Sequence, residues 1–123
     1  MTEGAIAAAI EVHRHRAPGL KEDIYEWCLM KEFELRKISA INQRVVKIEY
    51  KGFVREEPLR FDMLLEDVLL IEAKAVETIL PIHKAQLLTY MKLLDVPLGL
   101  LINFNVTRLV DGVSRLILPG SQD

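Results

Sequence analysis

The sequence predicts an α/β fold, a mixed β-sheet flanked by helices, with elements in the order ααβββαβ. Three observations predict it. Two apolar patterns with helical spacing open the chain. A period-two stretch follows, in which Val46, Ile48 and Tyr50 alternate with Lys47 and Glu49. Beyond it lies a nearly continuous apolar run from Val68 to Val76, the mark of a central strand covered on both faces.

Each element has its own local reason. Ile6, Ala9, Ile10 and His13 recur at helical spacing, so the first helix is expected from Glu3 to about His15, with Thr2 as N-cap. Ala17-Pro18-Gly19 then breaks the chain. The second helix is expected from Leu20 to about Lys37. Its apolar side is Ile24, Trp27, Cys28, Met30 or Lys31, Phe33 and Leu35, with Trp27, Phe33 and Tyr25 in the core. Glu22 falls in its first turn, where the helix dipole favours a carboxylate. Lys51-Gly52 turns the first strand into a second, which runs past Phe53 and Pro58 to Leu65. Pro81 introduces a helix from about Ile82 to Leu94, with Ala85, Leu87, Leu88, Met91 and Leu94 inward. Pro97 starts a last apolar strand, Leu98 to Phe104. Asp111-Gly112, between apolar runs, suggests a final hairpin or short strand before a frayed tail, Pro119 to Asp123.

Bulk properties narrow the function classes. At 123 residues the chain is expected to be one domain, 1–123, and half of it is hydrophobic, enough for a core without staples. The single Cys28 forms no intramolecular disulfide and fits a reducing, cytoplasmic setting, and no Cys/His spacing suggests zinc. No segment approaches a membrane span, and Ala5 to Ile10 lacks the basic flank of a signal peptide. A net charge of −2 argues against nonspecific gripping of long nucleic acid, so any such contact needs a local patch or a bound cation.

The chemistry is concentrated in Asp62 and Glu72-Ala73-Lys74. Ionisable groups set in an apolar strand must be paired, hydrogen-bonded or bound to metal. Glu72 and Lys74 share one strand face and Ala73 takes the other. Whether Asp62 joins them depends on the hairpin register. A two-residue Glu66-Asp67 turn sets Asp62 opposite Ile71, whereas a three-residue Glu66-Asp67-Val68 loop or a bulge sets it opposite Glu72; convergence is expected. Two carboxylates and the Ala73 carbonyl would then offer hard oxygen donors suited to Mg²⁺ or Mn²⁺. Lys74 would orient a water or stabilise charge on phosphorus. The competing reading is a solvated cross-strand ion pair between Glu72 and Lys74.

The residues also resemble a known family. Gly19-Leu20-Lys21-Glu22-Asp23-Ile24-Tyr25-Glu26 fits the G-x-x-E-x-x-Y signature of the GxxExxY proteins, within the PD-(D/E)XK nuclease-like superfamily. The resemblance continues through Val12-His13-Arg14, Gln43, Tyr50-Lys51-Gly52, Arg60-x-Asp62 and Glu72-Ala73-Lys74-Ala75-Val76. It extends to His83-x-x-Gln86-Leu87-Leu88-x-Tyr90 and Gly99 to Phe104, so it covers nearly the whole chain in order. Phe61 stands where the superfamily has proline, and Arg16-Ala17-Pro18-Gly19 replaces the usual Leu-Gly-Pro-Gly turn.

The resemblance implies a restriction-endonuclease-like core and a nuclease acting on nucleic acid, DNA in the first place. It implies Mg²⁺ or Mn²⁺ held by Asp62, Glu72, the Ala73 carbonyl and Glu22, and catalytic roles for Asp62, Glu72, Lys74, Glu22, Gln86 and Tyr90. Gln86 and Tyr90, one helical turn apart, would contact DNA or brace Lys74. The alternative is a nuclease-fold binding or accessory module of a larger complex, without cleavage of its own. A homodimer is compatible with a small nuclease that cuts both strands, and no membrane partner is expected. His13-Arg14-His15-Arg16 reads as a solvated helix end, and His83 as a helix start or a phosphate contact.

Overall fold

The computed structural model describes residues 1–120, so the end of the expected tail, 121–123, lies outside the described residues. Two helices, α1 (Thr2–Arg16) and α2 (Glu22–Leu35), precede β1 (Ala40–Tyr50), β2 (Phe53–Leu65) and β3 (Leu69–Lys74). Helix α3 (Pro81–Leu94), β4 (Leu98–Asn103), a 3-10 turn (Leu109–Gly112) and β5 (Val113–Ile117) follow. The strands form one mixed sheet in the order β1-β2-β3-β4-β5. Only β3 and β4 run parallel, joined by the α3 crossover. The predicted class and order hold, with β5 added, and β3 is central as expected.

The sheet divides the interior into two cores. On one side Ala5, Ala8, Ala9 and Val12 of α1 and Tyr25, Leu29 and Phe33 of α2 pack on Met63, Leu65, Ile71 and Leu100. On the other, Leu87, Met91 and Leu94 of α3 pack on Phe61, Leu64, Leu70 and Leu101. Gly99 lets α3 sit close, because a Cβ there would lie 2.5 Å from the Met91 sulfur.

Several local expectations are corrected. Thr2 is not the N-cap: Met1 precedes the helix without a side-chain cap, and Thr2 is already helical and buried. The buried stripe of α2 is Tyr25-Leu29-Phe33, so Trp27, two residues from Tyr25, falls on the opposite side and is 62% exposed. Ile24 and Leu35 are exposed with it, and Lys31 lies over the Trp27 ring. Ala85 also faces solvent. His13 is not solvated: it is buried, and its Nε2 lies 2.8 Å from the Val106 carbonyl, whereas Arg14, His15 and Arg16 are exposed. His83 starts its helix, accepting the Leu80 N–H on Nδ1. β1 begins six residues before Val46, at Ala40, because pairing with β2 extends it beyond the alternating stretch.

No helix among the described residues is long and apolar enough to cross a membrane.

Candidate active site

The register that decides the site is set by the β2–β3 loop. Leu65 pairs with Leu69, Leu64 with Leu70 and Met63 with Ile71, so the loop is Glu66-Asp67-Val68. Glu66 and Asp67 both take left-handed backbone angles, and the Val68 N–H closes the loop on the Leu65 carbonyl. One residue further, the same register sets Asp62 opposite Glu72. The ladder stops there and the side chain takes over: Asp62 Oδ2 accepts the Ala73 N–H at 2.6 Å.

A β-bulge aims Asp62. Between the pairs Ile41–Leu64 and Gln43–Arg60, the single residue Asn42 of β1 faces Phe61, Asp62 and Met63 of β2. Such an irregularity bends a strand and turns a side chain out of the ladder. The result is a cleft of about 290 Å³ lined by Glu26 of α2, Asn42 of β1, Arg60, Phe61 and Asp62 of β2, Glu72 of β3, and Gln86 and Tyr90 of α3.

The electrostatics follow from burial and crowding. Burial, then Asp62, pushes the Glu72 carboxyl up to about 7, against the pull of Lys74. Asp62 is raised as well: burial outweighs the Ala73 N–H and the Lys74 charge, and Glu22 adds to the rise. Glu26 is pushed up to about 7 by burial and by Asp62, with which it shares a hydrogen bond. Two carboxylates held beside each other at the cost of both pKa values are a place where a cation is favoured. The donors are all hard oxygens, which fits Mg²⁺ or Mn²⁺. Among the described residues no three His, Cys, Asp or Glu side chains form a ready-made cage, so water would complete the shell of such an ion.

The signature residues of α2 serve the frame around this cleft. Gly19 has φ of 106°, and the Tyr25 hydroxyl donates to the Ala17 carbonyl and accepts the Leu20 N–H, pinning the turn into α2. Tyr25 also stacks on Phe104 at 4.6 Å between ring centroids. Glu22 Oε2 accepts the Ala75 N–H at 3.2 Å, tying α2 to the chain just after Lys74. Across from it, the buried Asn103 side chain accepts the Val76 N–H and donates to the Val76 carbonyl.

The structure therefore brings Asp62, Glu72, Gln86 and Tyr90 to one cleft, with Lys74 and Glu22 acting on its carboxylates through space. Glu26, Asn42 and Phe61 are the lining residues to which sequence reasoning gave no role in the site; Glu26 only closes the signature run and Phe61 only stands in place of the superfamily proline. For Glu26 a signal existed, since it lies one helical turn from Glu22 on the same face. Asn42 is visible only through the bulge.

Comparison with known proteins bears on this geometry. A family model described as the PD-(D/E)XK nuclease superfamily matches residues 1–116. The chain belongs to the PD-(D/E)XK nuclease superfamily. Among solved structures it is similar to the crystal structure of SSO0001, at 16% identity and a TM-score of 0.59, over 99% of this chain and 79% of that one. That likeness concerns the fold. No curated protein matches the chain. For a PD-(D/E)XK superfamily member, the sheet and helices described above constitute the restriction-endonuclease-like core, and membership suggests a nuclease type of function.

Proposed function

We propose that this chain is a divalent-metal-dependent nuclease that hydrolyses phosphodiester bonds, with DNA as the first substrate to test. The observation that carries the reading is the junction of β2 and β3, where Asp62 and Glu72 converge with Lys74 beside a cleft. Asp62, Glu72 and the Ala73 carbonyl would hold Mg²⁺ or Mn²⁺, and Glu22 would complete the shell through water. When bound, the ion would acidify a water and offset negative charge on the phosphate.

The chain's own residues do the rest. The Ala73 N–H fixes the Asp62 carboxylate in place. Lys74 orients the attacking water and faces the charge that grows on phosphorus. Gln86 and Tyr90, on the α3 wall, contact the nucleic-acid backbone, and Arg60 on the β2 wall offers it a cation. Glu26 keeps a proton near neutrality beside Asp62, where its hydrogen bond orients that carboxylate.

Calorimetric titration with Mn²⁺ and Mg²⁺, followed by cleavage assays on single- and double-stranded DNA, tests the reading. Wild type is expected to bind saturably and cleave, and Asp62→Asn, Glu72→Gln and Lys74→Ala to stay folded without cleaving. Cleavage by these variants at the wild-type rate would remove the site assignment. Metal binding without cleavage of any nucleic acid would instead favour the accessory-module reading.

A further inference from the structure

The outer edge of β1 is the longest unpaired backbone in the sheet. β1 lies at the end of the strand order, and among the described residues its only strand partner is β2. Its eleven residues, Ala40–Tyr50, contain no proline. A long bare edge is a template for another strand, and sheets ordinarily blunt it.

The hairpin fixes which groups the edge offers. Tyr50 pairs with Phe53 across the two-residue Lys51-Gly52 turn, and both turn residues have positive φ. Residues flanking such a turn exchange both ladder hydrogen bonds. Alternation then aims the backbone groups of Tyr50, Ile48 and Val46 at β2, and those of Glu49, Lys47 and Val45 outward. An added strand must bond to Val45, Lys47 and Glu49.

Side chains restrict what that strand is. On one face, Ile48, Tyr50 (67% exposed) and Phe53 (79% exposed) extend the apolar surface outward from buried Val46. Some charges of the arm are answered within the protein, Arg55 by Glu57 and Arg44 by Asp67 of the β2–β3 loop, whereas Lys47 has Glu56 opposite it in register without an ion pair among the described residues, and Glu49 Oε1 accepts the Gly52 N–H at 2.6 Å. This is a poor phosphate track and a good protein surface.

We propose that the edge is an interface between two copies of this chain, their β1 strands pairing antiparallel about a two-fold axis at Ile48. Charge chooses the register. A two-fold at Ile48 sets Lys47 of each copy opposite Glu49 of the other, Ile48 opposite itself, and Tyr50 opposite Val46. Moving the axis to Lys47 opposes two lysines, and moving it to Val46 leaves Lys47 facing Val45 and Glu49 facing Gln43. Only the first register joins outward-facing residues of opposite charge. It makes one continuous sheet from both copies. It also delivers each Lys51-Gly52 turn beside Val45 and Arg44 of the other copy, close to Asn42 in the cleft wall. The interface stands or falls independently of the proposed activity.

Sedimentation equilibrium on the whole chain tests it, with Lys47→Glu, Glu49→Lys, their equimolar mixture and Lys47→Pro. Wild type is expected to form a reversible dimer. Each single charge reversal turns two attractive pairs into repulsive ones and is expected to weaken association about tenfold or more. The mixture restores complementary pairs and is expected to recover dimer. The contacts within each arm are the same in and out of the mixture, so recovery reports contact between copies alone. Lys47→Pro deletes an outward N–H and is expected to give a folded monomer by circular dichroism. A wild type monomeric at all concentrations overturns the proposal, as does a mixture that associates no better than its components.

Discussion

The two ends of β2 are one strand under different conditions. Its inner end, Phe61 to Leu65, is enclosed by α2, α3 and β3, and Met63, Leu64 and Leu65 are fully buried. Its outer end, Phe53 to Arg60, pairs with β1 alone and is mostly exposed. Asp62 sits in the bulge at the junction. A carboxylate further out would be solvated, and one further in would have no route to solvent. The junction supplies both burial and access, which is what a cation site requires.

Breaking the inner end gives the largest effect. Leu64→Ala is expected to cost roughly 2–5 kcal/mol in denaturant melts, through transfer and cavity terms together. Asp62→Asn comes next. Loss of a proposed direct donor is expected to weaken Mn²⁺ binding by at least about a hundredfold, beyond the 10–100-fold typical of outer-shell partners. Calorimetry checks it, and an unchanged affinity would place the ion elsewhere. Asn103→Ala removes the acceptor of the Val76 N–H and one of two side-chain donors to its carbonyl, leaving Asn105 Nδ2, and is expected to cost about 1–3 kcal/mol, with a weakened metal site as the second readout.

Acidity offers a finer probe of the junction. Glu72 has a folded pKa of about 7 against an ordinary 4.5, so the folded chain binds more protons than the unfolded one between those values. Its contribution to metal-free stability is therefore complete below about pH 4.5 and is lost as pH rises toward 7. The fall in Tm across that window should flatten in Glu72→Gln. Mn²⁺ affinity should run the opposite way and strengthen from pH 6 to 8, because the proton must leave before the ion binds. The smallest effect belongs to the outer end. Val54→Ser is expected to alter stability by no more than about 0.5 kcal/mol.

The same contrast explains what was legible in the sequence. The β3 core announced itself as a run of apolar residues, and Glu72-Ala73-Lys74 stood out because charges interrupted it. The three-residue loop was legible only as one of two alternatives, since Glu66-Asp67 alone also makes a turn. Trp27 misled, because size suggests burial whereas the buried stripe of α2 is Tyr25, Leu29 and Phe33, a face on which Trp27 does not lie. Glu26 hid in plain view on the face of Glu22. Asn42 carried no pattern at all, because a bulge is a property of two strands and neither one encodes it visibly alone.

The loop Glu66-Asp67-Val68 makes segment length a determinant of chemistry. Deleting one residue there would leave every ionisable side chain of the cleft in the protein. If the shortened segment closed on three residues again, Leu65 would enter the loop, Leu64 would pair with Leu69 and Asp62 would stand opposite Ile71, on the face away from Glu72. Substitutions at exposed Glu66 and Asp67 that keep the left-handed turn are tolerable by this logic; insertions and deletions are not. Related chains that keep the two carboxylates should therefore vary freely in the identity of this loop and hardly at all in its length.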